Sequence, residues 1–252
     1  QQYQQNVELL KTLEVLYRET TTEEKYIKFM KDVAFDSKLS EEDRYKFQTQ
    51  LFLKYYDQNN CEKFISELKK NPRYLKYSKK SNLDNWHQFL FLRGSCHYGA
   101  QSWRKARADL REVRKNRKYR EQSVSMLLEA HKQLEDWKSI TWELQDIFAR
   151  KSPKMTIDHY KLWIFSAQRR NDTKRLERIK IIFDRWKASF PEDKENLNSL
   201  QIFITESKIQ ELTIEENWKG LSSLIRLEVE EGRIKLEDHH FNQLLFAEKK
   251  NG

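Results

Sequence analysis

The polar and apolar positions of this chain recur in one arrangement. A residue able to cap a helix is followed by an apolar residue four positions on and another eight positions on. Asn60, Phe64 and Leu68 form one such set, Ser102, Ala106 and Leu110 a second, and Asp136, Ile140 and Leu144 a third. Thr22, Tyr26 and Met30, continued by Val33, precede them, and Asn217, Leu221 and Ile225 follow. Asp172 and Leu176 open a sixth set, whose stripe moves to Ile179, Ile182 and Phe183. The capping side chain satisfies an unpaired amide in the first turn, and the apolar residues then line one buried face of a helix. Pro72, Pro153 and Pro191 fall where these helices should already have ended.

The caps at 22, 60, 102, 136, 172 and 217 are separated by 38, 42, 34, 36 and 45 residues. Each interval has room for a second helix and two turns, and each contains an amphipathic or apolar stretch, such as "NWHQFLFLRGSCHYG" and "SVSMLLEAHKQL". The pattern predicts six helical hairpins over 3–36, 41–72, 84–118, 121–151, 156–190 and 196–231, with a terminal helix over 236–249. Hairpins that cannot bury their own apolar face must stack on neighbours. The expectation is therefore a single domain over 1–252.

Spacing and residue type together resemble the tetratricopeptide family, best over residues 87–153. Gly94 and Cys96 match its small first-helix positions, Tyr98 lies near that helix's end, and Trp103 matches the aromatic of the turn. Ala106 matches the small helix-contact position, with Leu110 and Val113 as second-helix core. Trp137, Ile140, Leu144 and Ile147 repeat Trp103, Ala106, Leu110 and Val113 34 residues later, with Ala130 in the preceding helix. Leu128, Ile140, Phe64, Leu176 and Leu221 stand where the family places small residues. The resemblance implies an all-α fold, a right-handed α-solenoid of about six antiparallel hairpins plus a C-terminal helix. Trp103 and Trp137 are then expected at the junction with the first helix of their own hairpin. The segment 162–191, with Trp163, a basic second helix and Pro191, also resembles half-a-tetratricopeptide repeats.

Composition agrees with helices. Of 252 residues only 5 are Gly and 3 Pro, too few for a turn-rich fold or glycine-rich phosphate loops, while 7 Trp and 13% aromatics argue against disorder. No apolar run approaches the roughly 20 residues of a membrane span. Cys61 and Cys96 read as two buried free thiols, with a disulfide as the alternative. The sequence begins with Gln1 rather than Met. A cytoplasmic location is the first expectation and an exported mature form the second.

Catalytic chemistry is not expected. The histidines are His87, His97, His131, His159, His239 and His240, and no HExxH is present. His97 and His131 are 34 apart, the spacing of equivalent hairpin positions, and His239 and His240 should point about 100° apart on a helix. Neither cysteine has an identifiable base. We expect a non-enzyme that needs no cofactor and no metal.

Binding is the remaining class. The tetratricopeptide resemblance implies a concave face built from first helices. It would carry Tyr56 in the second hairpin, Phe91, Ser95 and Tyr98 in the third, Ser125, Glu129 and Lys132 in the fourth, and Lys161, Phe165 and Gln168 in the fifth. Aromatics toward one end and lysines toward the other suit an extended or helical protein segment with acidic and apolar side chains. The net charge of +9 leaves nucleic acid open as an alternative partner. Basic residues crowd 104–120, among them Arg111, Arg114, Lys115, Arg117 and Lys118, and again 169–187. Stacking aromatics, which single-stranded RNA recognition needs, are sparse there.

Overall fold

In a computed structural model, which describes residues 2–151, 154–170, 194–232 and 238–251 and the single positions 174, 178, 181 and 184, all regular structure is α-helical. The chain divides into two compact units, Gln1–Ala130 and His131–Gly252. The first contains α1 (Gln2–Thr20), α2 (Glu23–Ala34), α3 (Glu41–Asp57), α4 (Cys61–Lys70), α5 (Pro72–Ser81), α6 (Leu83–Gly99) and α7 (Trp103–Val113). The boundary falls within α8 (Arg120–Gln133). The second continues with α9 (Trp137–Arg150), α10 (Ile157–Gln168), α11 (Lys194–Ile214), α12 (Trp218–Glu230) and α13 (Asp238–Asn251). Most packing is between consecutive helices, as in α2 on α3, α6 on α7, α9 on α10 and α12 on α13.

Among the described residues one tight helix–helix turn is built four times. A non-glycine residue sits in the left-handed region, with φ of 56° at Asn59, 54° at Gln101, 52° at Glu135 and 53° at Glu216. The following residue, Asn60, Ser102, Asp136 or Asn217, becomes the N-cap with ψ of 66°, 62°, 66° and 71°. Its amide donates back five residues, to the carbonyls of Tyr55, His97, His131 and Leu212. This closes the preceding helix while opening the next. The Asn60, Asp136 and Asn217 side chains accept amide bonds from Lys63, Ser139 and Gly220. Thr22 and Ser102 hold the N-cap place without a side-chain cap bond, so there the backbone geometry alone defines the helix start. The set beginning at Asp172, together with Pro153 and Pro191, lies outside the described residues.

The apolar stripes point inward. Phe64 and Leu68, Ala106 and Leu110, Ile140 and Leu144, and Leu221 and Ile225 are all buried. In the first unit Phe64 and Leu68 join Met30, Leu51, Phe52, Tyr55 and Phe89, while Ala106 and Leu110 cluster with Leu127 of α8. At the α6–α7 crossing, a Cβ on Gly94 would lie 3.0 Å from the Leu110 side chain, so the small residue permits the close approach. Beside it Arg93 makes a two-pronged pair with the buried Asp109, at 2.8 and 2.6 Å, and these bonds raise the guanidinium pKa.

Two features differ from expectation. The stretch between the second and third hairpins is itself a helix, α5, opened by Pro72 at its first position. Tyr74 buries it, stacking on Tyr45 at 4.9 Å and meeting Phe52 and Phe89 edge-on at 4.9 and 5.1 Å. This extra helix accounts for the long interval from cap 60 to cap 102. The cysteines are not free thiols: Cys61 at the start of α4 is bonded to Cys96 on α6, with Cα atoms 5.4 Å apart. The helix-starting position that elsewhere carries Trp thus carries a covalent link.

Candidate functional site

Three of the residues assigned to the binding face share one place in the repeated turn. The carbonyls of Tyr56, Tyr98 and Lys132 accept the amides of the left-handed residues Asn59, Gln101 and Glu135, at 2.8, 2.9 and 3.0 Å. The turn therefore fixes the backbone from which each side chain departs. Tyr56 meets Phe64 edge-on at 5.7 Å and Tyr98 meets Trp103 at 5.3 Å, both half-buried, while Lys132 is exposed. Phe91 stacks on Tyr119 at 5.0 Å, one turn before Ser95, whose hydroxyl donates to the Phe91 carbonyl at 2.9 Å. Glu129 is half-buried one turn before Lys132 on α8. Tyr56, Phe91, Tyr98 and Glu129 belong to the first unit, and Lys132, Lys161, Phe165 and Gln168 to the second.

The second-unit residues are drawn into helix–helix contacts. Lys161 Nζ donates to Ser199 Oγ at 2.7 Å, and Gln168 Nε2 to the Ser207 carbonyl at 3.0 Å, joining α10 to α11. Phe165 meets Trp137 edge-on at 5.2 Å, with the Arg169 guanidinium 5.2 Å from its ring centre. Trp137 thus packs on α10, the first helix of the following hairpin. Trp103 packs on its own first helix, through Tyr98. Both tryptophans are half-buried, because the turn leaves one side of the first residue open to solvent.

The basic candidates are partly engaged. Lys115 pairs with Glu112 at 3.2 Å, the Lys118 ammonium lies 5.1 Å from the Tyr119 ring centre, and the Arg114 carbonyl accepts from Arg120. Arg111, Lys115, Arg117 and Lys118 are exposed. Of the second basic stretch, Arg175, Lys180, Arg185 and Lys187 lie outside the described residues.

A cleft of about 400 Å³ in the first unit escaped sequence reasoning. Arg44, Lys70, Arg73, Tyr45, Tyr74 and Tyr77 contribute to its lining. These come from α3, α4 and α5, so no local motif announces it. Burial pushes the Tyr74 hydroxyl pKa well above the ordinary phenol range.

Three of the histidines take part in turns and caps. The His97 and His131 carbonyls close equivalent turns. His159 completes a capping box with Thr156, its Nδ1 lying 3.0 Å from the Thr156 amide nitrogen. Burial lowers the pKa of both His97 and His159. His239 and His240 do not diverge as a helical projection suggests; side-chain rotation brings both rings beside Glu206 of α11. Among the described residues no helix is long and apolar enough to cross a membrane. Comparison with protein-family models, with curated proteins and with solved structures finds no match to this chain.

Proposed function

We propose that the protein is a non-catalytic interaction scaffold, a tetratricopeptide-like right-handed α-solenoid whose first helices take up a segment of a partner protein. The observation that carries this reading is the fourfold turn at 59–60, 101–102, 135–136 and 216–217. A turn repeated with the same hydrogen bonds gives each of these hairpins the same internal geometry, and like units are what a stacked array requires. It also gives Tyr56, Tyr98 and Lys132 the same backbone place, each in its own hairpin. The partner is an extended or helical segment with apolar and acidic side chains, matched to two half-buried tyrosines and an exposed lysine. The Cys61–Cys96 bond supports an oxidising compartment over the cytoplasm.

A second reading rests on the exposed Arg111, Lys115, Arg117 and Lys118 as phosphate contacts to RNA. Capture of partners with the purified chain, followed by Tyr98→Ala and Lys132→Glu, separates the two. The scaffold reading expects these variants to weaken capture with helix content unchanged. Replacing Arg114, Lys115, Arg117 and Lys118 should matter less. Loss of capture only in the basic quadruple variant, with affinity falling steeply with salt, would favour RNA.

A further inference from the structure

The side chains of Glu206, His239 and His240 converge in the second unit. His240 Nε2 lies 2.6 Å from Glu206 Oε1, and His239 Nε2 lies 3.9 Å from the same oxygen. The imidazole ring centres are 3.7 Å apart, and one ligand atom from each residue falls within 4.8 Å of the others. His240 is buried with its side chain 4% exposed, whereas His239 is 55% exposed, so the cluster is rooted in the protein on one side and open on the other. Among the described residues this is the one group of three such side chains close enough to share an ion.

The geometry points to a binding site for a divalent zinc-class ion, held by Glu206, His239 and His240. Two imidazoles and one carboxylate form a borderline donor set that suits Zn²⁺ and its neighbours over Mg²⁺ or Ca²⁺, which take oxygen ligands. With metal–ligand bonds of about 2.0–2.1 Å, tetrahedral ligand atoms lie about 3.3 Å apart. The observed 2.6 and 3.9 Å bracket that value, and with all three ligand atoms within 4.8 Å of one another, side-chain shifts of about 1–1.5 Å would admit the ion. The helix dipole at the start of α13 opposes a cation, but the Glu206 carboxylate supplies compensating negative charge. Three protein ligands leave a fourth position, toward the exposed His239, for water or an incoming donor group. Because Glu206 lies on α11 and the histidines on α13, the ion would also clamp the last helix to the body of its unit.

The test titrates Zn²⁺ into the chelator-stripped full chain against a chromophoric competitor. Co²⁺ is used in parallel for its visible ligand-field bands. One equivalent should bind, with a dissociation constant on the order of micromolar or tighter. Glu206→Gln and His239→Ala should each weaken binding about tenfold or more and shift the Co²⁺ spectrum, with circular dichroism unchanged. His239 is the safer position, being exposed; His240→Ala adds the buried ligand if the variant folds. Absence of saturable one-equivalent binding would overturn the assignment. So would binding that persists unchanged in both Glu206→Gln and His239→Ala.

Discussion

Reducing the Cys61–Cys96 bond should cost the first unit much of its stability. The bond joins residues 35 apart in sequence and encloses α5 together with the α4–α5 and α5–α6 junctions. In the chain-entropy model, closing a loop of that length restricts the unfolded chain by about 3.8 kcal/mol at 25 °C. The packing around the bond, with Phe64 stacked near Phe89 and Tyr74 beside them, does not run through the sulfurs, so the folded state should change little on reduction. The loss is therefore a change in the unfolded state, and it should appear undiminished in a melt. For a unit of this size such a change lowers Tm by about 10 °C or more. Calorimetry with and without a phosphine reductant measures it, and the Cys61→Ser/Cys96→Ser double variant should melt with the reduced protein. Alkylation of the native, unreduced chain should leave both cysteines unmodified. Ready alkylation of both, or a Tm shift under about 2 °C, would refute the reasoning and restore the free-thiol expectation.

Two other changes follow from the turns and the buried groups. Glu135→Gly should stabilise by about 0.5–1 kcal/mol, because relief of a left-handed conformation exceeds the added freedom of the unfolded chain. Gln101→Gly should behave alike, and urea denaturation of each against the parent gives the sign. Stability should fall as pH drops through the ordinary histidine range near about 6.5. Burial depresses the His97 pKa, outweighing Asp109, so the unfolded state takes up the proton first. His97→Gln should flatten part of that slope in denaturation midpoints between about pH 7 and 5.

The helices were legible because each combines a capping signal with a stripe at steps of three and four. Ala106, Leu110, Ile140 and Leu144, picked from spacing, are fully buried. The fifth helix was not legible. In "PRYLKYSKKS" the inward residues are Tyr74 and Ser78, which carry polar groups and break no surface pattern. Ser78 is buried because the Tyr45 hydroxyl donates to it at 3.1 Å, a partner 33 residues away. The disulfide stood only as the alternative to free thiols, since sequence separation does not fix a Cα distance. Candidate site residues were legible as positions, through the turn, but not as contacts: Gln168 bonds Ser207 and Lys161 bonds Ser199, each from a helix begun more than 25 residues later. The Glu206 cluster required a residue on another helix to turn two adjacent histidines into one site.

The first position of the second helix explains how unlike residues hold like hairpins. Trp137 reaches Phe165 on α10, Trp218 reaches Phe246 on α13 at 5.1 Å, and Cys61 reaches Cys96 on α6. Each links a second helix to the helix that opens the next hairpin or ends the chain. The aromatic pairs act on the folded state, with an edge contact worth about 0.5–1.5 kcal/mol beyond burial. The disulfide acts on the unfolded chain and requires a backbone separation near the observed 5.4 Å, which two large rings would prevent. That closer approach occurs where α5 intervenes in the chain between the linked helices and the loop to be closed is longer, 35 residues against 28 for each aromatic pair. The extra loop length adds only about 0.2 kcal/mol to the cost of closure, so the short backbone separation, not the loop, decides for the disulfide. The equivalence therefore belongs to a backbone position fixed by the left-handed turn before it, and the side chain there answers to the distance it must span.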